Sequence, residues 1–146
     1  MTTLPSLTPG HEAVSDWLIV SQARINAFAE ATEDRQWVHI DVERAKRESP
    51  YGAPIAHGFL TLSLVSHLLS QALTLEGVRM GVNYGLNRVR FIAPVIAGSR
   101  IRGRFVVTNI ERKEKEVKIT WTVTIEREAE EKPCCVAEWL TLHYEA

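Results

Sequence analysis

The chain changes its hydrophobic period halfway along, and that change limits the possible folds more than any other feature. From Gly58 to about Leu75 the sequence G-F-L-T-L-S-L-V-S-H-L-L-S-Q-A-L-T-L spreads Phe59, Val65 and the leucines around nearly the whole circumference of a helix. A helix that is apolar on all sides is a buried helix. Further on, Val117, Ile119, Trp121, Val123 and Ile125 alternate with Lys118, Thr120, Thr122, Thr124 and Glu126. That is the two-residue period of a strand with one buried face. A helix of this length spans roughly 26 Å, close to an eight-residue strand at about 3.3 Å each, so one sheet can curl along it.

The flanking segments fill in the order. Residues 1–12, with Pro5, Pro9 and Gly10, read as an irregular lead-in to a single domain over 13–146. Asp16 to Val20 is a short candidate strand, and Ser21 can cap a helix that ends near Glu33. Glu33 to Ala56 is charged and carries Pro50, Pro54 and Gly52, which predicts a long loop with one helical turn around Val42 to Lys46. Arg79 to Val95 reads as a strand bulged at Gly85, and Ile101 to Thr108 as another, joined to the Val117 strand through the charged run Glu111 to Glu116. Cys134 to Tyr144 is the last strand. One buried helix followed by about four antiparallel strands is an α+β arrangement, the layout of a single hot-dog fold with a long antiparallel sheet wrapped around a central helix. Pairing of two copies would manage the exposed sheet edges, so a homodimer is expected.

Composition narrows the function classes. At 146 residues and 45% hydrophobic content the chain suits one ordinary core. Seventeen basic against eighteen acidic residues give no global field for nucleic acid or an anionic membrane. No secretory leader pattern or membrane-length apolar run is present, which points to a cytoplasmic protein. Cys134 and Cys135 are adjacent and match neither a metal motif nor a disulfide framework; two reduced thiols are expected.

The chemistry-bearing stretch is A-T-E-D-R-Q-W-V-H-I-D, residues 31–41, followed a dozen residues later by P-I-A-H-G-F-L. It sets Asp34 and His39 five residues apart and then enters the apolar helix through Gly58. An acid, an imidazole and a helix N-terminus are the parts for acid–base work on a polarised carbonyl. His39, Asp41 and His57 lack the spacing of a zinc motif, so no metal is expected. His57 can be a ligand or an acid, but a histidine just ahead of a helix more often caps it or fixes the loop. Arg88, Arg90, Arg100, Arg102 and Arg104 offer either a phosphate-binding patch or a solvated face.

Four spaced motifs resemble one family: the 31–41 stretch, P-I-A-H-G-F-L-T-L-S-L-V-S, G-V-N-Y-G-L-N-R-V-R-F-I-A-P-V, and K-P-C-C-V-A-E-W-L. Together they resemble the MaoC-like dehydratases, which include the (R)-specific enoyl-CoA hydratases, and within them the branch related to nodulation protein N. The family's usual D-x-N-P-x-H is departed from at Gln36 and Trp37, which marks the pocket beside that pair as distinct. The resemblance implies reversible syn hydration of trans-2-enoyl thioesters to (3R)-3-hydroxyacyl thioesters. It implies that Asp34 and His39 hold the water, that the Gly58 N–H serves as oxyanion donor, and that Ser66 supports them, with Thr61, Ser63 and Ser70 as alternatives. Gln36, Trp37, His57, Asn83, Tyr84, Asn87 and Arg88 are candidate substrate contacts. The substrate would be an acyl thioester of coenzyme A or of an acyl-carrier protein, with no other cofactor. A hot-dog thioesterase commonly relies on an acid on or beside the central helix, and none occurs from Gly58 through Leu75. A non-catalytic acyl-thioester-binding or assembly domain is the remaining alternative.

Overall fold

The computed structural model describes residues 2–146. Four long antiparallel strands carry the fold: β5 (Val78–Phe91), β6 (Arg100–Lys113), β7 (Glu116–Arg127) and β8 (Cys135–Glu145). Short strands precede them, β1 (Thr2–Thr3), β2 (Glu12–Val14), β3 (Leu18–Ile19) and β4 (Leu75–Glu76). The main sheet runs β2-β6-β7-β8-β5, with β3 also on β6, while β1 and β4 pair in parallel. Five helices, α1 (Gln22–Thr32), α2 (Trp37–Ile40), α3 (Val42–Glu48), α4 (Gly58–Ser63) and α5 (Val65–Ala72), lie between β3 and β4. The α+β hot-dog arrangement holds, with Leu60 of α4, Val65 and Leu68 of α5 and Leu64 between them in one core with residues of β6, β7 and β8.

The two-residue pattern of β7 places its side chains as expected. Val117, Ile119, Trp121, Val123 and Ile125 are all buried and meet Ile101, Phe105 and Val107 of β6 in one core. Gly103 belongs to the same inward row. A Cβ there would stand 2.6 Å from the Phe105 ring and 3.2 Å from Leu68, so the bare backbone makes room for the aromatic. The Glu111–Glu116 run is mostly strand, and the reversal is confined to Glu114 and Lys115, with Glu114 left-handed at φ 49°. In β5 the register against β8 slips between Asn83 and Gly85 and again between Leu86 and Arg88, so Tyr84 and Asn87 stand outside the pairing.

Three expectations need correction. The apolar run from Gly58 is two helices meeting at Leu64 and ending at Ala72, and it is not buried on all sides. Leu60, Thr61, Leu64, Val65 and Leu68 are buried, whereas Phe59 is 69% exposed. The reason is the sheet, which covers one side of the helices and leaves the other to solvent. The 33–56 segment holds α3 where a helical turn was expected and a second helix, α2, that was not, because hydrogen bonds from outside stabilise a turn too short to show a period. The first residues are anchored as well: Thr3 and Ser6 close a capping box around a 3₁₀ turn, and Leu4 and Leu7 are fully buried.

Cys134 and Cys135 are free and buried. Burial pushes the Cys134 thiol up to about 12 and the Cys135 thiol up to about 11. Neither is a thiolate at neutral pH, so neither is a nucleophile there. Ellman titration is expected to find almost no reactive thiol in the native protein and both after denaturation; rapid native labelling would contradict this.

Candidate active site

Glu33 closes α1 in a left-handed conformation, φ 63°, and the chain turns there to leave Asp34 exposed ahead of α2. His39 lies on α2 and is buried. The helix of four residues is held from outside: Gln22 Nε2 donates to the His39 carbonyl at 2.8 Å, and Ile55 N–H to the Val38 carbonyl at 3.1 Å. His39 Nδ1 lies 2.7 Å from the Ile55 carbonyl, which can only accept, so Nδ1 carries the proton. The Ile55 segment is itself fixed by Ala56 N–H to the Val95 carbonyl and Ala97 N–H to the Pro54 carbonyl.

His57 resolves the choice left by its sequence. Its carbonyl accepts from Leu60 and Thr61 N–H at the start of α4, while its side chain makes no cap. The ring instead stacks on His39, centroids 3.9 Å apart, with Phe28 at 4.9 Å. His57 Nε2 donates to the Asp34 backbone carbonyl at 2.9 Å, which ties the acid's loop to α4. Its Nδ1 is buried without a partner. One oxygen of Asp34 and one nitrogen each of His39 and His57 all lie within 4.8 Å of one another. Asp41, considered as a third ligand, is engaged elsewhere, its Oδ1 capping α3 at Arg44 N–H.

Burial holds the His39 imidazole below its ordinary pKa, and the neighbouring His57 adds to this; the Ile55 carbonyl and Asp34 oppose it. The result favours a neutral ring with Nδ1–H engaged and Nε2 left as an acceptor.

Gly58 follows directly. A Cβ there would stand 3.1 Å from the Phe91 ring, so its missing side chain lets that ring close over the helix start. No acceptor takes the Gly58 N–H among the described residues. A cavity of about 220 Å³ flanks Gly58 and Thr61, walled by Tyr51, Ile55, Phe91 and Val95.

The other expected residues scatter. Ser63 and Ser70 donate back to helix carbonyls of Phe59 and His67. Ser66 has no hydrogen-bond partner among the described residues and lines a groove with Asn83 and Trp139 against β5, a groove to which Asp34 does not contribute. Asn83 Oδ1 accepts from Trp139 Nε1–H at 3.0 Å. Gln36 precedes α2 and is exposed, and Trp37 lies under the Arg44 guanidinium at 4.4 Å. Tyr84 meets Lys118 Nζ 5.0 Å from its ring centroid, and Asn87 is exposed on β5. Of the arginines, Arg100, Arg102 and Arg104 pair with Glu128, Glu126 and Glu12, and Arg102 also covers Trp17. Arg90 turns to the Val89 carbonyl, leaving Arg88 as the one of the five without a partner among the described residues. The reading from sequence missed Phe28 and Ile55, which set the two imidazoles, because neither residue type signals such a role.

Comparison with known proteins decides the family. The MaoC-like domain matches residues 6–129. The chain belongs to the MaoC-like dehydratases. This MaoC-like chain is 43% identical to nodulation protein N of Rhizobium meliloti over 144 residues, 97% of this chain and 89% of that one. It is 47% identical to 3-hydroxyacyl-thioester dehydratase Z of Mycobacterium tuberculosis over 125 residues, 85% and 82% of the two chains. An (R)-hydratase from A. caviae involved in PHA biosynthesis superposes with TM-score 0.75 at 26% identity, covering 93% of this chain and 96% of that one. The MaoC-like chain is accordingly a hydro-lyase. No helix among its described residues is long and apolar enough to cross a membrane.

Proposed function

We propose that this hydro-lyase adds water reversibly across trans-2-enoyl thioesters to give (3R)-3-hydroxyacyl thioesters, carried on coenzyme A or an acyl-carrier protein. The observation that carries the reading is His39, its Nδ1 held by the Ile55 carbonyl, set beside Asp34 with polar side-chain atoms no more than 4.8 Å apart. Two hydrogen bonds of about 2.8 Å meeting at a tetrahedral oxygen span roughly 4.6 Å, which is within that limit, and a single bridging water is the proposed occupant. Asp34 accepts one hydrogen of that water and aims its lone pair at C3. His39 Nε2 takes the other as the O–C3 bond forms. The electron pair of the double bond moves through C2 onto the thioester oxygen, and the Gly58 N–H stabilises it. His39 then returns the proton to C2 on the same face, which gives syn addition and restores the catalyst. The step calls for no metal or redox cofactor. Loss of enoyl absorbance with crotonyl-CoA, with the product resolved as the R isomer, tests the proposal; thiol release in place of hydration would overturn it.

The pH profile carries a sign. Because the His39 pKa is depressed and the ring works as the neutral form, kcat/KM is expected to climb with pH through a midpoint below 6.5. A rate that falls as a group near 6.5 loses its proton would contradict the assignment. Stability follows the same direction: buried His39 and His143 both bind protons less readily folded than unfolded, so the unfolded state holds more protons once pH drops below about 6.5. Urea midpoints are expected to decline from there toward lower pH.

The active form is proposed to be a homodimer formed through β5. This 14-residue strand closes one side of the sheet, and Met80, Val82, Tyr84 and Leu86 on it are exposed together with Phe59 and Phe91. A long apolar edge invites pairing with a second copy. Sedimentation is expected to give twice the chain mass of 16.5 kDa, and a monomer at micromolar concentration would contradict it.

A further inference from the structure

The inward row of β8, Cys135, Ala137, Trp139, Thr141 and His143, is buried throughout and turns polar at its end. Trp121 Nε1–H, which can only donate, donates to Thr141 Oγ1 at 2.9 Å. Thr141 Oγ1 in turn lies 2.8 Å from His143 Nε2, and its proton has no other acceptor among the described residues. The arrangement that satisfies all three groups has the hydroxyl donating to Nε2, which leaves the proton of the neutral ring on Nδ1. Burial disfavours the charged ring and agrees with this. Nδ1 has no hydrogen-bond partner among the described residues. It lies over Gly81, the register partner of His143, 3.2 Å from where a Cβ would stand. The space beside it is a cavity of about 220 Å³ lined by Ser66, Leu69, Val82, Asn83, Trp139 and His143.

This cavity is the end of a series. The first flanks Gly58 and Thr61 opposite Phe91; the next flanks Leu62 and Ser66 opposite Leu86 and Gly85; the last flanks Ser66 and Leu69 opposite Val82 and Gly81. The second and third share Ser66, Asn83 and Trp139 and are one groove. Measured along the helices, Gly58 to Leu69 is about 16 Å. Leu62, Val65, Leu69, Leu86 and Trp139 make most of the wall apolar, which suits a hydrocarbon chain. His143 at the far end does not. A plain alkyl chain reaching it would displace water and leave the Nδ1–H unpaired, whereas a chain bearing a keto, hydroxyl or ether oxygen there would accept from it.

We propose that the groove between α5 and β5 selects acyl thioesters whose chain carries an oxygen acceptor toward its far end, bound by His143 through Nδ1–H. This rests on the hydratase reading of the Asp34–His39 site. The test uses the intact enzyme with trans-2-enoyl-CoA substrates of eight to fourteen carbons, each plain and with a keto oxygen on the penultimate carbon. Every kcat/KM is normalised to the same enzyme's value with crotonyl-CoA. The wild type is expected to favour the keto compound about 10-fold or more at the lengths that reach His143, His143→Leu to lose that preference, and His143→Gln to keep part of it. No keto preference in the wild type at any length would overturn the inference, as would the same preference in His143→Leu. The second result is also the one expected if the groove holds the pantetheine arm, since all substrates would then suffer alike. If His143→Leu fails to fold, the wild-type ratio decides alone. Failure to hydrate any thioester, crotonyl-CoA included, would instead sink the hydratase reading, and this inference with it.

Discussion

Asp34→Asn and His39→Gln are each expected to lower kcat for enoyl-thioester hydration by roughly 10²–10⁴, with KM changing much less. The substitutions remove proton transfer and water orientation, which matter most in the transition state. Asp34 is exposed and its side chain makes no hydrogen bond or ion pair among the described residues, so Asn there should leave the melting temperature nearly unchanged. At His39 the glutamine amide can still donate toward the Ile55 carbonyl, which His39 Nδ1 meets at 2.7 Å, and so spares the packing of α2. The two variants separate the roles. His39→Gln should flatten the acidic limb of the pH profile, while Asp34→Asn should keep that limb at a lower rate. The double variant should cost little more than His39→Gln alone, because the pair acts on one water. Hydration of crotonyl-CoA at wild-type rates by either single variant would remove the pair from the mechanism.

What could be read from sequence was what local physics determines. The alternation from Val117 to Ile125 fixes which face of β7 is buried whatever packs on it, and all five apolar residues are inside. Ser21 caps α1 from the predicted position, its Oγ accepting from Arg24 N–H at 3.1 Å. Asp34 and His39 were legible as a pair only in company with the other three spaced motifs, since their type and spacing alone also suit two solvated side chains, and the fold does bring them together with His57.

The remainder depends on partners far along the chain. Nothing in the composition of 58–75 tells that the sheet leaves one side of α4 and α5 open, so an apolar circumference looked buried where Phe59 is exposed. Trp37 to Ile40 is too short to show a helical period, and its helix is set by Gln22 and Ile55. His57 looked ambiguous because the ring's stacking on His39 joins α2 to the start of α4. His143 drew no notice at all, although the alternation Cys135, Ala137, Trp139, Thr141 already puts it on the inner face. Only the cross-strand bond from Trp121 to Thr141 gives its ring a defined tautomer.

Trp121→Ala is expected to destabilise the protein by about 3–5 kcal/mol, the second large effect, through a different link in the chain of cause. Trp121 is fully buried on β7, between β6 and β8, with the Phe105 ring edge-on at 6.3 Å. Truncation opens a cavity that the facing strands cannot close, since each is held in register along its length. It also removes the N–H that Thr141 accepts in a buried site, so part of the loss is polar. For a domain of this size that corresponds to a melting temperature lower by roughly 10–15 °C. Trp121→Phe separates the two contributions, because it keeps much of the ring volume and deletes only the N–H. That variant should lose a minor share of the stability. Calorimetry on both decides the matter: a Trp121→Ala protein melting within a few degrees of the wild type would mean that the sheet collapses around the missing indole, and that the core between β7 and the helices is looser than its packing implies.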